Sequence, residues 1–337
     1  VDDSNPVYAL PPSMGFLQAL KKTFVVSLAS QKSETTHTAN LVLPALTAYE
    51  SWGDAFPRNG VRSIQQPVMS TVNMFDARAR EDILLSVAQN VNKKAFSENS
   101  SYLDYLQNIW QKIQRKVGDR RKFDSFWISV LENGGIFEKP KFIRASLNRR
   151  VASVKLNDPG MASSDGLTLF PTTSLLLGDG GGANKPWLQE VPDPMSQIVW
   201  DSWMEINPDT AQKLGINDRA IVEISTQYGS VQATAYYHFG IHRNAIAIPM
   251  GQGHQHSGDV ADGFGINVME LLPDQMDKAG SLGFGGAKAK LKLINEKSYT
   301  VNTDGNARQL GRDISAATTV EELNNPEKHS SEHNRPV

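Results

Sequence analysis

Residues Trp203–Tyr237 read WMEINPDTAQKLGINDRAIVEISTQYGSVQATAYY, and this stretch decides the fold of the second half of the chain. Asn207 and Pro208 supply an N-cap and a first helical residue: the amide side chain accepts from an orphan backbone N–H, and proline has none to leave unpaired. Ala211 and Leu214 are expected to face inward, and Gly215 stands where a helix ends in a left-handed residue. Asn217 and Asp218 then turn the chain into AIVEIST, whose alternation is that of a half-buried strand. Tyr228 and Gly229 mark a hairpin turn into SVQATAYY. A further strand, AIAIPM, ends at Gly251. Several short strands around one brief helix predict a closed barrel rather than an open sheet.

Upstream the pattern changes. TFVVSLAS (Thr23–Ser30) is the β-branched, apolar run of a buried parallel strand, and NLVLP (Asn40–Pro44) reads as the next one. Ser13 is placed to cap a helix over Phe16, Leu17 and Leu20, and a second helix is expected over Ala79–Val91 with Ile83, Leu84, Val87 and Val91 on one side. Helices between strands imply crossovers and a layered sheet. From Ser100 to Arg150 the chain reads as mainly helical, with Tyr102, Leu103, Leu106, Ile109, Trp110, Ile113 and Val117 as an amphipathic stripe that packs a core. The run RKVGDRRK (Arg115–Lys122) is broken by Asp119 and carries no aromatics, so it reads as a solvated helix end. Residues 296–337 are too polar to bury a core of their own and read as a linker or an arm laid on a partner. The expected organisation is an α/β domain over 1–99, a helical connection over 100–160, a barrel over 161–295 and a polar tail over 296–337.

Composition excludes several functions. A chain of 337 residues with 39% hydrophobic content can bury a sizeable core. Its 34 basic and 36 acidic residues leave a formal charge of -2, which offers no footprint for nucleic acid or an anionic membrane. No apolar run is long enough to span a bilayer, so membrane contact is expected only through partner subunits. Cysteine is absent, which removes disulfides, thiolate nucleophiles and the usual ligands of structural zinc and iron–sulfur clusters. Without a Gly-x-Ser-x-Gly elbow or a Gly-Lys-Thr phosphate loop, hydrolase and nucleotidase chemistry fall away too. Redox work in this chain would need a bound organic cofactor. The opening VDDSNPVYALPP, lacking an initiator Met and a signal segment, reads as the interior of something longer.

Trp203–Tyr237 resembles the dinucleotide-binding barrel at the C-terminal end of the molybdopterin oxidoreductase (dimethyl sulfoxide reductase) superfamily, with helix, glycine and hairpin in the family order. SETTHTANLVLPALTAYESWGD (Ser33–Asp54) resembles the family segment in which Glu-Thr precedes an Ala-Asp-x-Val-Leu-Pro strand end and a Glu-x-x-Gly-Asp turn. NGVRSIQ (Asn59–Gln65) is similar to the element that follows, and FDSFWISVLENGGI (Phe123–Ile136) to a family helix. The fold this implies is a layered parallel α/β domain plus a six-stranded double-psi β-barrel. In the superfamily a Cys, selenocysteine, Ser or Asp of the preceding half holds the metal, so the resemblance assigns this chain no catalytic residue and no metal ligand. LLLGDGGGANKPWLQEVPDP (Leu175–Pro194) replaces the usual Arg- and His-containing strand; its Trp-Leu-Gln-Glu and Pro-Asp-Pro are similar to the large iron–sulfur subunit of alternative complex III and related quinone-linked complexes. Some of those keep the fold with neither metal nor pterin bound. RQLGRDISAATTVEELNNPE (Arg308–Glu327) resembles the connector that precedes the ferredoxin-like portion of that subunit.

The resemblance also implies a site. Gly180, Gly181 and Gly182 would present amides to a phosphate or pterin edge, with Trp187 packed beside them as an anchor; read from the residues alone, they form a surface loop with positive φ values and Trp187 fills a hole in the barrel end. Gly251, Gln252, Gly253 and His254 form the turn that contacts cofactor, and Asn267 matches the Asn that reaches the pterin. His254 and His256 suit hydrogen bonds to a heteroaromatic edge better than a metal, since no carboxylate or cysteine stands at a zinc-like spacing. Asn5, Glu34, Thr35 and Thr36 resemble the set that lines the crevice at the carboxyl ends of parallel strands, although Ser33, Thr35 and Thr36 also suit a helix start. Glu50, Asp54 and Arg62 are expected to form an internal ion-pair network.

The functional expectation is a portion of a molybdopterin-oxidoreductase-like subunit of a membrane-associated respiratory complex, quinone-linked, on the periplasmic side of the bacterial cytoplasmic membrane. Within it the chain is either a cradle for molybdopterin guanine dinucleotide or a metal-free structural scaffold. Iron–sulfur clusters and haems belong to other domains or subunits. Its expected partners are the remaining N-terminal half of the subunit and the iron–sulfur and quinone-interacting membrane subunits. The alternative is the C-terminal part of a catalytic molybdenum or tungsten bis-pterin reductase or dehydrogenase acting on a small oxyanion or sulfur compound; a stand-alone binding module is the third option.

Overall fold

The computed structural model describes residues 3–72, 75–92, 94, 96–139, 144–153, 166–277, 279–297, 300–303, 320 and 324. The chain opens with α1 (Pro6–Ala9) and α2 (Phe16–Leu20), separated by a 3-10 turn. Ser13 lies inside that turn and donates to the Leu272 carbonyl at 3.2 Å, so the cap expected there is not formed and Gly15 opens α2 instead. β1 (Val26–Ser27), α3 (Glu34–His37) and β2 (Leu41–Val42) make the expected parallel crossover. Its ladder is short. The Asn40 side chain takes the Val25 amide at 2.8 Å at one end, and Pro44 has no amide to offer at the other.

A second sheet was not foreseen. β3 (Gly53–Arg58) and β4 (Val61–Gln65) form a hairpin across Asn59-Gly60, the dipeptide that favours such turns, with Gly60 at φ 80°. After α4 (Arg80–Val91), α5 (Tyr102–Val117) and α6 (Phe123–Asn133), the strand β5 (Gly135–Phe137) returns to pair with β4. The helical stretch is therefore more than a connection: Leu106, Trp110, Phe126 and Trp127 bury a core against the hairpin. The α5 stripe packs inward through Leu106, Trp110 and Ile113 as expected. On α4 the reverse holds. It buries Leu85, while Leu84, Val87 and Val91 face solvent. The basic run ends α5 at Gly118 in the left-handed region, and Arg121 pairs with Asp119 at 2.7 Å.

The expected network of Glu50, Asp54 and Arg62 is absent. Glu50 caps the amides of Thr47 and Val72, Asp54 accepts from Trp110 Nε1 at 3.2 Å, and the Arg62 guanidinium lies over the Phe56 ring. Each group found a nearer partner.

The rest of the described chain is the barrel. β6 (Leu167–Thr172), α7 (Pro186–Glu190), β7 (Trp203–Ile206), α8 (Pro208–Lys213), β8 (Ile221–Ser225), β9 (Ser230–Tyr237), β10 (Ala245–Pro249) and β11 (Lys288–Asn295) follow in order. The six strands close in the order β10-β6-β11-β8-β9-β7, with β6/β10 and β7/β9 parallel and the other pairs antiparallel. Asn207 caps α8 through the Asp209 amide at 3.0 Å. Ala211 is buried, but Leu214 is half exposed: α8 ends at Lys213, Gly215 turns the chain at φ 67°, and Ile216 becomes the next inward residue. Leu169, Met204, Ile206, Val222, Ile224, Ile246 and Ile248 fill the interior. Part of the tail, Thr300–Thr303, lies along the chain's own Gln197–Val199, with Val199 N donating to Val301 O at 3.1 Å. The connector-like Arg308–Glu327 lies, but for Val320 and Asn324, outside the described residues.

Candidate functional site

The α/β region and the barrel meet where the loops after β1 and β10 face each other. Ser33 caps α3 in a reciprocal box: its Oγ accepts from Thr36 N at 3.1 Å, and Thr36 Oγ1 accepts from Ser33 N at 2.6 Å. Those two side chains are spent locally, which leaves Glu34, at the first helical position, to reach across the seam. Its carboxylate accepts from Asn5 Nδ2 at 2.6 Å, Gln255 N at 2.8 Å, His254 Nδ1 at 3.1 Å and His256 N at 3.4 Å. Burial alone would raise its pKa; the bonds from His254, the Gln255 amide and Asn5 outweigh it and hold the carboxyl well below the ordinary range. Asn5 Oδ1 in turn accepts from Thr35 N and Thr35 Oγ1 at 3.1 and 2.8 Å.

Tyr8 completes the seam. Its ring stacks on His254 at 3.8 Å, its hydroxyl donates to Gln252 O at 2.8 Å, and its carbonyl accepts from Asn267 Nδ2 at 2.9 Å. Burial, then the nearby Glu34 charge, drives the phenol pKa above its ordinary value. Behind it, buried Gln189 and Gln252 exchange amide hydrogen bonds at 3.2 and 2.7 Å, which ties α7 to the Gly251–Gly253 turn. Gly180 is required at its place: it sits at φ 96°, and a Cβ there would lie 2.6 Å from His254 Nε2 and 2.8 Å from Tyr8 Cε1. Gly253 is equally constrained, because a Cβ would lie 2.1 Å from Asn267 N.

The structure therefore brings Asn5, Glu34, Thr35, Gly180, Gly251, Gln252, Gly253, His254 and Asn267 to one seam. Thr36 lies beside it with its hydroxyl spent on the cap, Gly181 lines its rim, and Gly182 backs onto Leu188. A cleft of about 460 Å³ opens there between Asn5, Tyr8, Lys32, Asp179, Gly180 and His254. A second, of about 680 Å³, shares the Ser30–Ser33 loop with it and is lined by His37, Phe75, His256, Asp259 and Asp262. The two rims thus face a common groove.

Some expectations about this site change. Trp187 is 81% exposed on α7 and anchors nothing: Pro186 starts the helix and Gln189 points inward, so Trp187 falls on the outer side. His254 and His256 part company, the first buried on Tyr8, the second stacked on His37 at 3.7 Å. Among the described residues no group of three or more His, Asp or Glu side chains is arranged to hold a metal ion. Tyr8, Gln189 and His37 belong to the site without having been singled out. Tyr8 had one usable signal: in NPVYA, Asn-Pro opens a helix and places Tyr8 one turn past Asn5.

A family profile described as "Molydopterin dinucleotide binding domain" matches residues 187–280, which include β7 to β10 and the Gly251–Asp259 loop. The chain is 26% identical to the menaquinone reductase, molybdopterin-binding-like subunit of Nitratidesulfovibrio vulgaris, over 81% of this chain and 38% of that protein. It is 29% identical to the arsenate respiratory reductase molybdopterin-containing subunit of Chrysiogenes arsenatis, over 80% of this chain and 42% of that one. These matches support a C-terminal part of the molybdopterin oxidoreductase superfamily, with the dinucleotide-binding domain over residues 187–280 of this chain. The chain corresponds to the C-terminal part of such subunits and spans about two fifths of the length of these curated relatives. Acetylene hydratase from Pelobacter acetylenicus shares the fold, with a TM-score of 0.52 at 18% identity over 86% of this chain and 43% of that one.

Tested against a pterin dinucleotide, the residues on this side of the groove fit poorly. One feature suits such a group: His254 is 2% exposed and its Nε2 has no hydrogen-bond partner. The others do not. Gly180 N and Gly181 N already donate to Leu177 O and Asp179 Oδ1, and Asn267 spends its amide on Tyr8 O and Met269 N. Among the described residues lining the two clefts stand four carboxylates, Asp3, Asp179, Asp259 and Asp262, against one ammonium, Lys32. A pyrophosphate needs free donors and positive charge, and this half of the groove has few of either.

Proposed function

We propose that the chain is part of a molybdopterin-oxidoreductase-like subunit in a membrane-associated, quinone-linked respiratory complex of the alternative complex III kind, held on the periplasmic side by partner subunits. In this reading it is a metal-free scaffold rather than a cofactor cradle. The observation that carries it is where the hydrogen bonds go: the polar side chains that the superfamily resemblance assigns to cofactor bond within the chain, Glu34, His254 and Asn267 across the seam and Asn5, Thr35, Thr36 and Gln252 inside their own fold. Electrons then pass through clusters and haems on other domains or subunits, and this chain holds their neighbours in place. The likeness to a subunit whose name calls it molybdopterin-binding-like supports the same reading. Metal and pterin analysis of the natively purified complex tests it. The expected result is no stoichiometric molybdenum, tungsten or pterin in a preparation active towards quinone.

One observation favours the catalytic alternative, a bis-pterin reductase or dehydrogenase for a small oxyanion or sulfur compound. The buried, unpartnered Nε2 of His254 is a polar atom a heteroaromatic ligand would satisfy. Such a ligand would supply the dithiolenes that hold a metal, while this chain would contribute the Nε2 of His254. Stoichiometric metal with pterin in the native complex would establish that reading in place of the scaffold.

A further inference from the structure

His254 keeps only 2% of its surface exposed, and its Nε2 has no hydrogen-bond partner. Buried polar atoms are otherwise bonded, so an atom of this kind points to a ligand. The other end of the ring fixes its character. Nδ1 bonds to the Glu34 carboxylate, which only accepts, so Nδ1 carries the proton and the neutral imidazole keeps Nε2 as an acceptor. The loop after β6 closes on that atom: a Cβ at Gly180 would lie 2.6 Å from it, and Asp179, the preceding residue, lines the same cleft of about 460 Å³. Two carboxylates set the sign of the charge. Glu34 lies behind the ring, and Asp179 is exposed, with Gly181 N as its donor at 3.1 Å among the described residues. The Tyr8 phenol stacked on His254 registers both, since burial first, then Glu34 and more weakly Asp179 push its pKa up. Asp3 is neutralised by Arg80, and Lys32 is the one ammonium among the described lining residues. Pro6, Ala9 and Leu10 add an apolar wall.

We propose that the cleft beside His254 binds a small organic molecule carrying a primary ammonium group on a short apolar body, with His254 Nε2 accepting one N–H and the Asp179 carboxylate facing the charge. An ammonium offers three donors and no acceptor, which is what an orphaned acceptor beside a carboxylate lacks. A carboxylate or phosphate ligand would set acceptor against acceptor and put negative charge next to Glu34 and Asp179. The hydrocarbon of the ligand would lie on the Pro6–Leu10 wall, and the cleft falls within the usual span of small-molecule sites, about 300–1,000 Å³. The inference goes beyond the scaffold reading and does not depend on it: failure of an amine to bind leaves that reading standing, because the scaffold turns on metal and pterin analysis.

Titration calorimetry on the full-length subunit tests it with probes that share a butyl chain. They are n-butylammonium, n-butyltrimethylammonium, which keeps the charge without an N–H, and pentanoate, which reverses the charge. n-Butylammonium should bind more tightly than either of the others by about tenfold, the worth of one hydrogen bond from a charged donor. His254→Ala should abolish its advantage over n-butyltrimethylammonium. Asp179→Asn keeps the oxygen that Gly181 N uses and should weaken both cations several-fold. No saturable binding, a preference for pentanoate, or an advantage of n-butylammonium that survives His254→Ala overturns the proposal. His254→Ala also cuts a contact of the seam, so Asp179→Asn serves as the independent variant if the first fails to fold. Unchanged affinity of both cations for the Asp179→Asn subunit overturns the proposal as well.

Discussion

The barrel and the α/β region are built from similar residues, yet only one is complete in itself. The barrel closes six strands on Met204, Ile206, Ile246 and their neighbours, and no edge is left to pair. The α/β region has a two-residue parallel ladder with Leu41 and Val42 exposed on either face, and it reaches out to the barrel through the polar contacts of Glu34 and Tyr8. A closed sheet carries its stability locally, whereas an open one depends on whatever is laid against it.

That contrast can be broken by substitution, read region by region with native-state hydrogen exchange on the full-length subunit. The largest effect is expected from Ile206→Ala, which empties a fully buried site in the barrel and should cost about 2–5 kcal/mol of protection across all six strands while sparing α5 and α6. Equal loss in both regions would mean that they unfold as one.

Glu34→Gln comes next. Replacing the carboxylate that takes four donors at the seam by an amide, which keeps one acceptor oxygen and puts a donor in place of the other, should cost about 3 kcal/mol and expose amides of α1, α3 and the Gly251–Asp259 loop first. It also removes a pH dependence whose sign follows from the shift. Glu34 is more acidic folded than unfolded, so its contribution is complete above the ordinary carboxylate pKa of about 4.3 and fades as pH falls below it towards the folded value. In wild type the seam should loosen through that acid window; in the Gln variant it should be loose on both sides of it.

Gly180→Ala sharpens the comparison further. It sets a methyl group against His254 and Tyr8 at a positive φ and should cost about 1–3 kcal/mol, felt as separation of the two folds with the barrel intact. Trp187→Ala should be the smallest, within about 0.5 kcal/mol, because the ring is exposed and packs little. A large loss there would show that a partner covers it in the assembled complex.

Legibility in the sequence followed the range of the interactions. Asn207, Pro208, Gly215 and the Tyr228-Gly229 turn act within a few residues, and the structure has the cap, the stop and the hairpin where those residues stand. Leu214 and the apolar stripe of α4 face solvent against expectation, because periodicity shows that a helix has two sides without showing which side a neighbour covers. The β3–β4–β5 sheet was missed although Asn59-Gly60 signals its turn, since pairing with β5 joins residues some seventy positions apart. At the site, family resemblance gathered Asn5, Glu34, His254 and Asn267 into one set, and the coordinates place them at one seam. Tyr8 and Gln189 escaped because their partners are remote in the chain.

By itself, the sequence determined the local grammar of the barrel, the absence of cysteine chemistry and the list of polar residues with something to bond. Only the tertiary structure decided with whom they bond. Hydrogen-bonding capacity is written in a residue's type, but each donor and acceptor is spent once, and the fold chooses whether it is spent inside the chain or kept for a ligand. Here Glu34, His254 and Asn267 are spent across the seam, and Asn5 is spent beside it on Glu34 and Thr35.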